Sequence, residues 1–206
     1  MNDRSDEKRW IRQLARLETL MDVVYALTIW WLFQLLPRPM DDETRSVWEL
    51  FMDDPRPVLT VAIGIVIVII YWMQNNLLFG NLQRTDTRHT ALSILQIFFL
   101  LLFLYAIRLG TNYEAAADLR VFESVTALLV GVPAYFAWRH AKYEGRLVSP
   151  SLSKKEADAI SVRILAEPIT AALTIPFALF APVLWEIAWF SFPLVERLLR
   201  LKQDKL

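Results

Sequence analysis

The chain has 206 residues, of which 55% are hydrophobic and 13% aromatic, and its mean hydropathy of +0.34 is high for a soluble domain. Lysine plus arginine and aspartate plus glutamate are equal at 22 each, so net charge gives no support for nucleic-acid binding. The absence of cysteine excludes disulfides and thiolate metal sites. With two histidines and no HExxH, GxxxxGK or GxSxG pattern, the chain is not expected to be an enzyme.

The first apolar run, Leu17 to Leu36, begins among charges. Residues 1–15 carry both signs, and no small-residue cleavage site follows the run, so we expect the segment to stay in the mature protein. Arg16 directly precedes the run, and Glu18 and Asp22 lie in its first two turns. A charge at membrane depth is costly, so Asp22 is expected to meet a donor from a neighbouring span.

Donors of the required kind stand in the stretch YWMQNN, at the end of the second apolar run. We therefore favour a structural role for Asp22, locking the foot of the first helix, and leave a direct role in an ion path open. The network expected at this foot consists of Arg16, Asp22, Trp72 and Asn75.

Three further runs are long and apolar enough to cross a membrane, which takes about 20 residues. They are Pro57 to Gln83, Thr90 to Ile107, and Val121 to Trp138. The acidic stretch between the first two spans contains SVWELFM, whose apolar residues recur at helical spacing and predict a short surface helix.

The C-terminal part forms either two spans, beginning near Ala157 and Ala181, or one long helix kinked at its prolines. Six spans place 17 of the 22 Lys and Arg residues on one side, whereas five would put the basic tail outside. The sequence therefore predicts an all-α integral membrane protein with six transmembrane helices and both termini cytoplasmic. Its parts are a cytoplasmic segment (1–15), the transmembrane domain (16–200) and a cytoplasmic tail (201–206), in a prokaryotic inner membrane.

Several polar residues stand inside these runs. Ser93 and Gln96 are expected to make interhelical hydrogen bonds. Glu123 and Glu186, near the outer ends, are expected to reach the headgroups, and Glu167 is expected to pair with Arg163 one turn earlier.

The pattern R-L-E-x-x-x-D-x-x-Y-A-L, from Arg16 to Leu27, resembles the start of the first helix in the transmembrane protein 175 type of potassium channel, usually R-x-E-x-F-S-D-x-x-F-A-I. YWMQNNLLFGNLQRTD is similar to the family's Trp-centred end of helix two and the basic loop after it, and a Leu-rich third span follows. The resemblance covers roughly residues 16–109. Leu20 and Met21 replace the family's Phe-Ser, and Asn75 stands at a position where His is common.

The resemblance implies a potassium-permeable cation channel, a homotetramer in the lipid bilayer whose first helix lines the pore. The family's first hydrophobic constriction residue corresponds to Leu27, and Trp31 and Gln34 follow on the same face. No cofactor is implied beyond the permeant K⁺ ion. Trp30 stands where the family has a small or hydroxylated residue, so packing against lipid or another helix is the competing interpretation for Trp30 and Trp31.

Two alternatives to a channel stay open. A protein of the same fold could serve as a non-conducting membrane scaffold or partner. A small proton-coupled carrier would use carboxylates near mid-membrane, for which the sequence offers Asp22 and Glu167.

Overall fold

The computed structural model describes residues 3–37, 46–52, 55–112 and 117–203. Within these ranges every regular element is a helix, apart from one isolated antiparallel bridge between Leu82 and Val148, so the all-α class is confirmed. The helices in chain order are α1 (Asp3–Phe33), α2 (Val47–Met52), α3 (Pro55–Phe79), α4 (Thr87–Asn112), α5 (Ala117–Lys142), α6 (Lys154–Phe180), α7 (Pro182–Ala188) and α8 (Phe192–Gln203).

Among the described residues, four helical segments have the length and composition of a membrane span. They are Pro57–Phe79, Thr87–Gly110, Ala117–Gly145 and Lys154–Phe180, which correspond to the second to fifth predicted spans. The first predicted span is not among them, because α1 ends at Phe33 and its last 18 residues still include Arg16, Glu18 and Asp22.

The C-terminal part is neither one kinked helix nor one regular sixth span. Helix α6 ends at Phe180, where Ala181 leaves the helical region (φ −150°, ψ 67°) and Pro182 starts α7. A 3-10 turn, Trp189–Ser191, then separates α7 from α8. Proline is favoured in a first helical turn because it lacks the N–H group, which explains why new helices start at these points.

Helix α2 confirms the short helix predicted in the acidic stretch. Ser46 and Glu49 form a reciprocal cap, in which each side chain accepts a hydrogen bond from the other's backbone N–H. Ser153 and Glu156 make the same capping box at the start of α6. Local sequence thus fixes where both helices begin.

The centre of the bundle is the contact of α5 with α4 and α6. Gly131 of α5 lies directly against the ring of Pro168 in α6, so close that an added Cβ would be 2.8 Å from Pro168 Cδ. Trp138 is fully buried near the end of α5, and its indole N–H donates to the carbonyl of Ala157 at 3.0 Å. Helix α1 packs on this centre through α3 and α4.

The loops after α3 and α5 meet at one end of the bundle. The backbone N–H of Gln83 donates to the Leu147 carbonyl at 2.9 Å, and that of Ser149 donates to the Asn81 carbonyl at 2.9 Å. The two basic loops are therefore on the same side, as the count of Lys and Arg requires. We call this the basic end.

Candidate pore helix and its anchoring

Helix α1 has one buried and one uncovered face. The buried side chains include Leu17, Met21, Tyr25, Thr28 and Leu32, which recur at intervals of three and four residues.

The uncovered face of α1 is a continuous apolar stripe. Leu20, Val23, Leu27, Trp30 and Phe33 are exposed large hydrophobic residues, and Trp30 is the most exposed of them at 61%. Because each residue turns the helix by about 100°, Val23 and Trp30 point almost directly away from the buried face. A stripe of this kind on a membrane helix needs a lipid or protein partner.

The predicted pore residues lie in different settings. Leu27 is exposed on the stripe, at 58%. Trp31 is partly buried and packs against the core, and it helps to line a groove of about 400 Å³ between α1 and α4. Gln34 is partly buried, just beyond the end of α1. The residues predicted to line the pore did not include Trp30, although its spacing of three residues from Leu27 places it on the same face of the helix.

At the foot of the apolar run, Asp22 is joined to α3. The indole N–H of Trp72 donates to Asp22 Oδ1 at 3.0 Å. The expected donor from a neighbouring span is thus present, and it is one of those in YWMQNN. Both side chains are exposed, because Asp22 lies on the edge of the uncovered face rather than under a neighbouring helix.

The other two residues of the predicted network are not part of this bond. Asn75 is buried, and its amide nitrogen has no hydrogen-bond partner among the described residues. Arg16 is exposed and lines a groove beside α1 and α4, where it contacts neither Asp22 nor Trp72.

Two further side-chain hydrogen bonds fix α1 on α4. Gln13 donates to the Thr90 hydroxyl at 3.3 Å, and Gln96 donates to the hydroxyl of Tyr25 at 3.2 Å. The interhelical bond expected of Gln96 is thus present, whereas Ser93 bonds the carbonyl of His89 within its own helix, at 2.9 Å.

The interior also contains a carboxyl group without a partner. Glu167 is 3% exposed, and neither of its side-chain oxygens has a hydrogen-bond partner among the described residues. The predicted pairing with Arg163 is therefore wrong. Nearby, the hydroxyl of Tyr71 donates to the Ala127 carbonyl at 2.6 Å, which ties α3 to α5.

The carboxylates at the other end of the bundle are joined by one arginine. Arg120 is 2.9 Å from Glu186 and 3.5 Å from Glu123, and its guanidinium lies over the ring of Trp185 at 4.3 Å. Glu123 is buried. The expectation that Glu123 reaches the headgroups is wrong, because its side chain is buried beside Arg120, which supplies opposite charge. For Glu186, whose side chain is 42% exposed, headgroup contact stays a prediction.

At the basic end, Asp86 accepts a hydrogen bond from the backbone N–H of His89 at 2.8 Å and pairs with His140 Nε2 at 2.7 Å. Partial burial raises the pKa of Asp86, but these two hydrogen bonds and the charge of His140 outweigh burial and hold the pKa below its usual value. The pair joins α4 to α5 beside the loops.

Comparison with known proteins finds one family whose sequence model matches part of the chain and solved structures that share its fold. A model of the family described as "Endosomal/lysosomal potassium channel TMEM175" matches residues 16–103. Among curated proteins, none matches the chain.

Two solved structures are similar over nearly the whole length. One is the potassium channel MtTMEM175, as a single-residue variant in complex with a nanobody–MBP fusion protein, with a TM-score of 0.66, 18% identity, and coverage of 93% of this chain and 94% of that one. The other is a lysosomal potassium-selective channel TMEM175 homolog from Chamaesiphon minutus, with a TM-score of 0.73, 16% identity, and coverage of 93% and 98%. At these identities the structures establish the fold. The resemblance found in the first helix is confirmed: the TMEM175 family model matches residues 16–103, and the chain has the fold of these two TMEM175 channel structures over most of its length.

Proposed function

We propose that the chain is one subunit of a homotetrameric potassium-permeable channel, with α1 of each subunit lining the pore. The observation that carries this proposal is the continuous apolar stripe on α1, from Leu20 to Phe33, which this subunit leaves uncovered. A ring of such side chains from four subunits is a hydrophobic constriction. It opposes ions because it offers no replacement for their water.

The stripe favours a refined set of constriction residues. Leu27 and Trp30 are both more than half exposed, while Trp31 packs partly against the core beside α4. In the proposed tetramer, Leu27 and Trp30 face the axis, and Trp31 and Gln34 flank them. The proposed membrane topology has six spans with both termini in the cytoplasm, α1 being the first and the α7–α8 segment the last.

The test is potassium flux into liposomes that contain the purified chain, normalised to the amount of tetramer. Trp30→Ala is expected to widen the constriction and raise flux, whereas Trp31→Ala is expected to change flux less. Leu27→Asn is expected to hydrate the ring and bring the permeabilities of K⁺ and Na⁺ closer together. Phe98→Ala is the matched control, since Phe98 is an exposed aromatic of α4, at 58%, outside the α1 stripe.

Unchanged flux per tetramer in both Trp30→Ala and Leu27→Asn would remove α1 from the pore. A chain that forms tetramers but conducts nothing, with or without these substitutions, would favour the second candidate function. That candidate is a non-conducting scaffold or partner of the same fold, and it is favoured by the two adjacent indole rings, Trp30 and Trp31, which a narrow pore would have to accommodate.

A further inference from the structure

A second groove, on the side of the bundle between α4 and α5, lies at the basic end. It encloses about 710 Å³, and polar and apolar residues both line it. The polar part is formed by Arg88, Arg139, Tyr143 and Arg146, and the apolar part includes Leu95 and Phe136.

The polar and apolar parts are stacked along the helix axes in the same order on both helices. On α4, Arg88 stands near the first turn and Leu95 two turns later. On α5, which runs the other way, Phe136 comes first and Tyr143 directly follows the last turn. Seven residues correspond to about 10 Å of helix. Both walls of the groove therefore change from basic to apolar in the direction that leads into the bundle's hydrophobic middle.

The basic part of the groove has an excess of positive charge. Arg88 and Arg139 are exposed, and no ion pair among the described residues includes either of them. Two acidic residues stand close to these arginines in the chain. Asp86 is paired with His140, and Glu144 is exposed in the turn after α5.

Arg84 contributes a further positive charge close by. Its guanidinium donates to the carbonyl of Arg146 at 3.1 and 3.2 Å, which also fixes the loop that forms the mouth of the groove.

We propose that this groove binds an anionic phospholipid, with the phosphate between Arg88 and Arg139 and an acyl chain along Leu95 and Phe136. The planar guanidinium groups match phosphate oxygens in a bidentate way. Tyr143 is exposed and aromatic at the level where aromatic side chains of membrane proteins meet the headgroups. The apolar part of the groove favours a lipid over free phosphate, because a phosphate ion has no acyl chain to pack against Leu95 and Phe136. The inference needs the chain to be embedded in a bilayer, but not to conduct.

The experiment uses the full chain purified in a neutral detergent. Dioleoyl phosphatidylglycerol or dioleoyl phosphatidylcholine is added in mixed micelles, and native mass spectrometry counts the bound lipids. Each basic residue near a membrane surface contributes roughly 1 kcal/mol to binding an anionic lipid, so Arg88 and Arg139 together should make the wild-type chain bind phosphatidylglycerol about thirtyfold more tightly than phosphatidylcholine. The double substitution Arg88→Gln with Arg139→Gln should abolish this preference.

Two variants and one soluble probe make the result decisive. Arg197→Gln with Lys202→Gln, on α8, removes the same charge from exposed positions outside the groove and should leave the preference intact. Arg88→Lys with Arg139→Lys keeps the charge and should retain part of the preference. This variant still tests the groove if the glutamine variant fails to fold. The proposal is overturned if the wild type shows no preference, if the α8 control loses it equally, or if inorganic phosphate at the same concentration displaces the lipid.

Discussion

The close contact between Gly131 and Pro168 gives a sharp test of how α5 and α6 are held together. A Cβ on residue 131 would lie 2.8, 3.0 and 3.1 Å from three ring carbons of Pro168. The ring cannot rotate away, so Gly131→Ala must separate the two helices. Overpacking of this kind costs about 1–3 kcal/mol. Alanine gains about 1 kcal/mol over glycine in helix propensity. The net effect expected is a destabilisation of up to about 2 kcal/mol.

Gly64→Ala is the matched control. An added Cβ there would also meet an atom at 2.8 Å, but this atom is Ile107 Cδ1, the end of a flexible side chain that can change rotamer. The gain in helix propensity from Gly64→Ala offsets the cost of the rotamer change, so we expect the free energy of unfolding of this variant to stay within about 1 kcal/mol of the wild type.

The assay is thermal unfolding of the full chain in one detergent, at fixed protein concentration, with Pro168→Ala completing a double-mutant cycle. For a chain of this size, a destabilisation of up to about 2 kcal/mol corresponds to a fall in the thermal midpoint of up to about 8 °C. In the Pro168→Ala background the Gly131→Ala penalty should be smaller, because Cγ and Cδ are absent and only the contact with Cβ, at 3.0 Å, is left. A Gly131→Ala penalty that is undiminished without the proline ring would refute the steric explanation.

Three further outcomes are expected. Asp22→Asn and Trp72→Phe should each lower the thermal midpoint slightly and reduce the yield of assembled oligomer, because each weakens the same solvent-exposed, charge-assisted hydrogen bond. Size-exclusion chromatography should show that the yield of the double variant is no lower than that of either single variant. The pKa of Asp86 is lower in the folded chain, so the stabilisation it provides is complete above the unfolded pKa of about 4 and is lost as pH falls through the folded pKa. Between pH 7 and pH 3 the thermal midpoint should therefore fall less in Asp86→Asn than in the wild type. Equal pH profiles would contradict the pairing with His140. Glu167→Gln should leave the thermal midpoint unchanged or raise it, because a buried amide costs less than a carboxylate and neither carboxyl oxygen makes a well-formed hydrogen bond to a described residue. A clear loss of stability would point to Tyr71 or Gln74, which lie beside Glu167, as its partner.

Most of the helical fold could be predicted from the sequence, because long apolar runs and capping residues are local signals. The runs VLTVAIGIVIVIIYW and ILQIFFLLLFLYAI lie in α3 and α4, and Ser153 with Glu156 marks the start of α6. The C-terminal region was harder. Its prolines indicated interruptions, but only the backbone at Ala181 shows that the helix ends there rather than bends.

The side-chain pairings were less predictable, because a pairing depends on how each helix is rotated about its axis. Trp72 was among the donors expected for Asp22, since both stand at the ends of apolar runs. The pairing predicted for Glu167 with Arg163 was wrong, and so was the headgroup contact predicted for Glu123, which is buried beside Arg120. Arg120 also pairs with Glu186, 66 positions away in the chain, and no local signal indicates that pairing.

The same rotation determines which tryptophan of α1 is turned outward. Trp30 and Trp31 differ by about 100° around the helix, so a motif alignment that is uncertain by one residue exchanges them. Three hydrogen bonds, from Gln13 to Thr90, from Trp72 to Asp22 and from Gln96 to Tyr25, fix α1 at points along more than three turns. Turning the helix enough to put Trp31 in the place of Trp30 would pull Tyr25 out of the core, where it is 1% exposed. The outward position of Trp30 is therefore a consequence of the bonds that hold α1 to its own subunit. Any pore formed by this helix must accommodate Trp30 before Trp31.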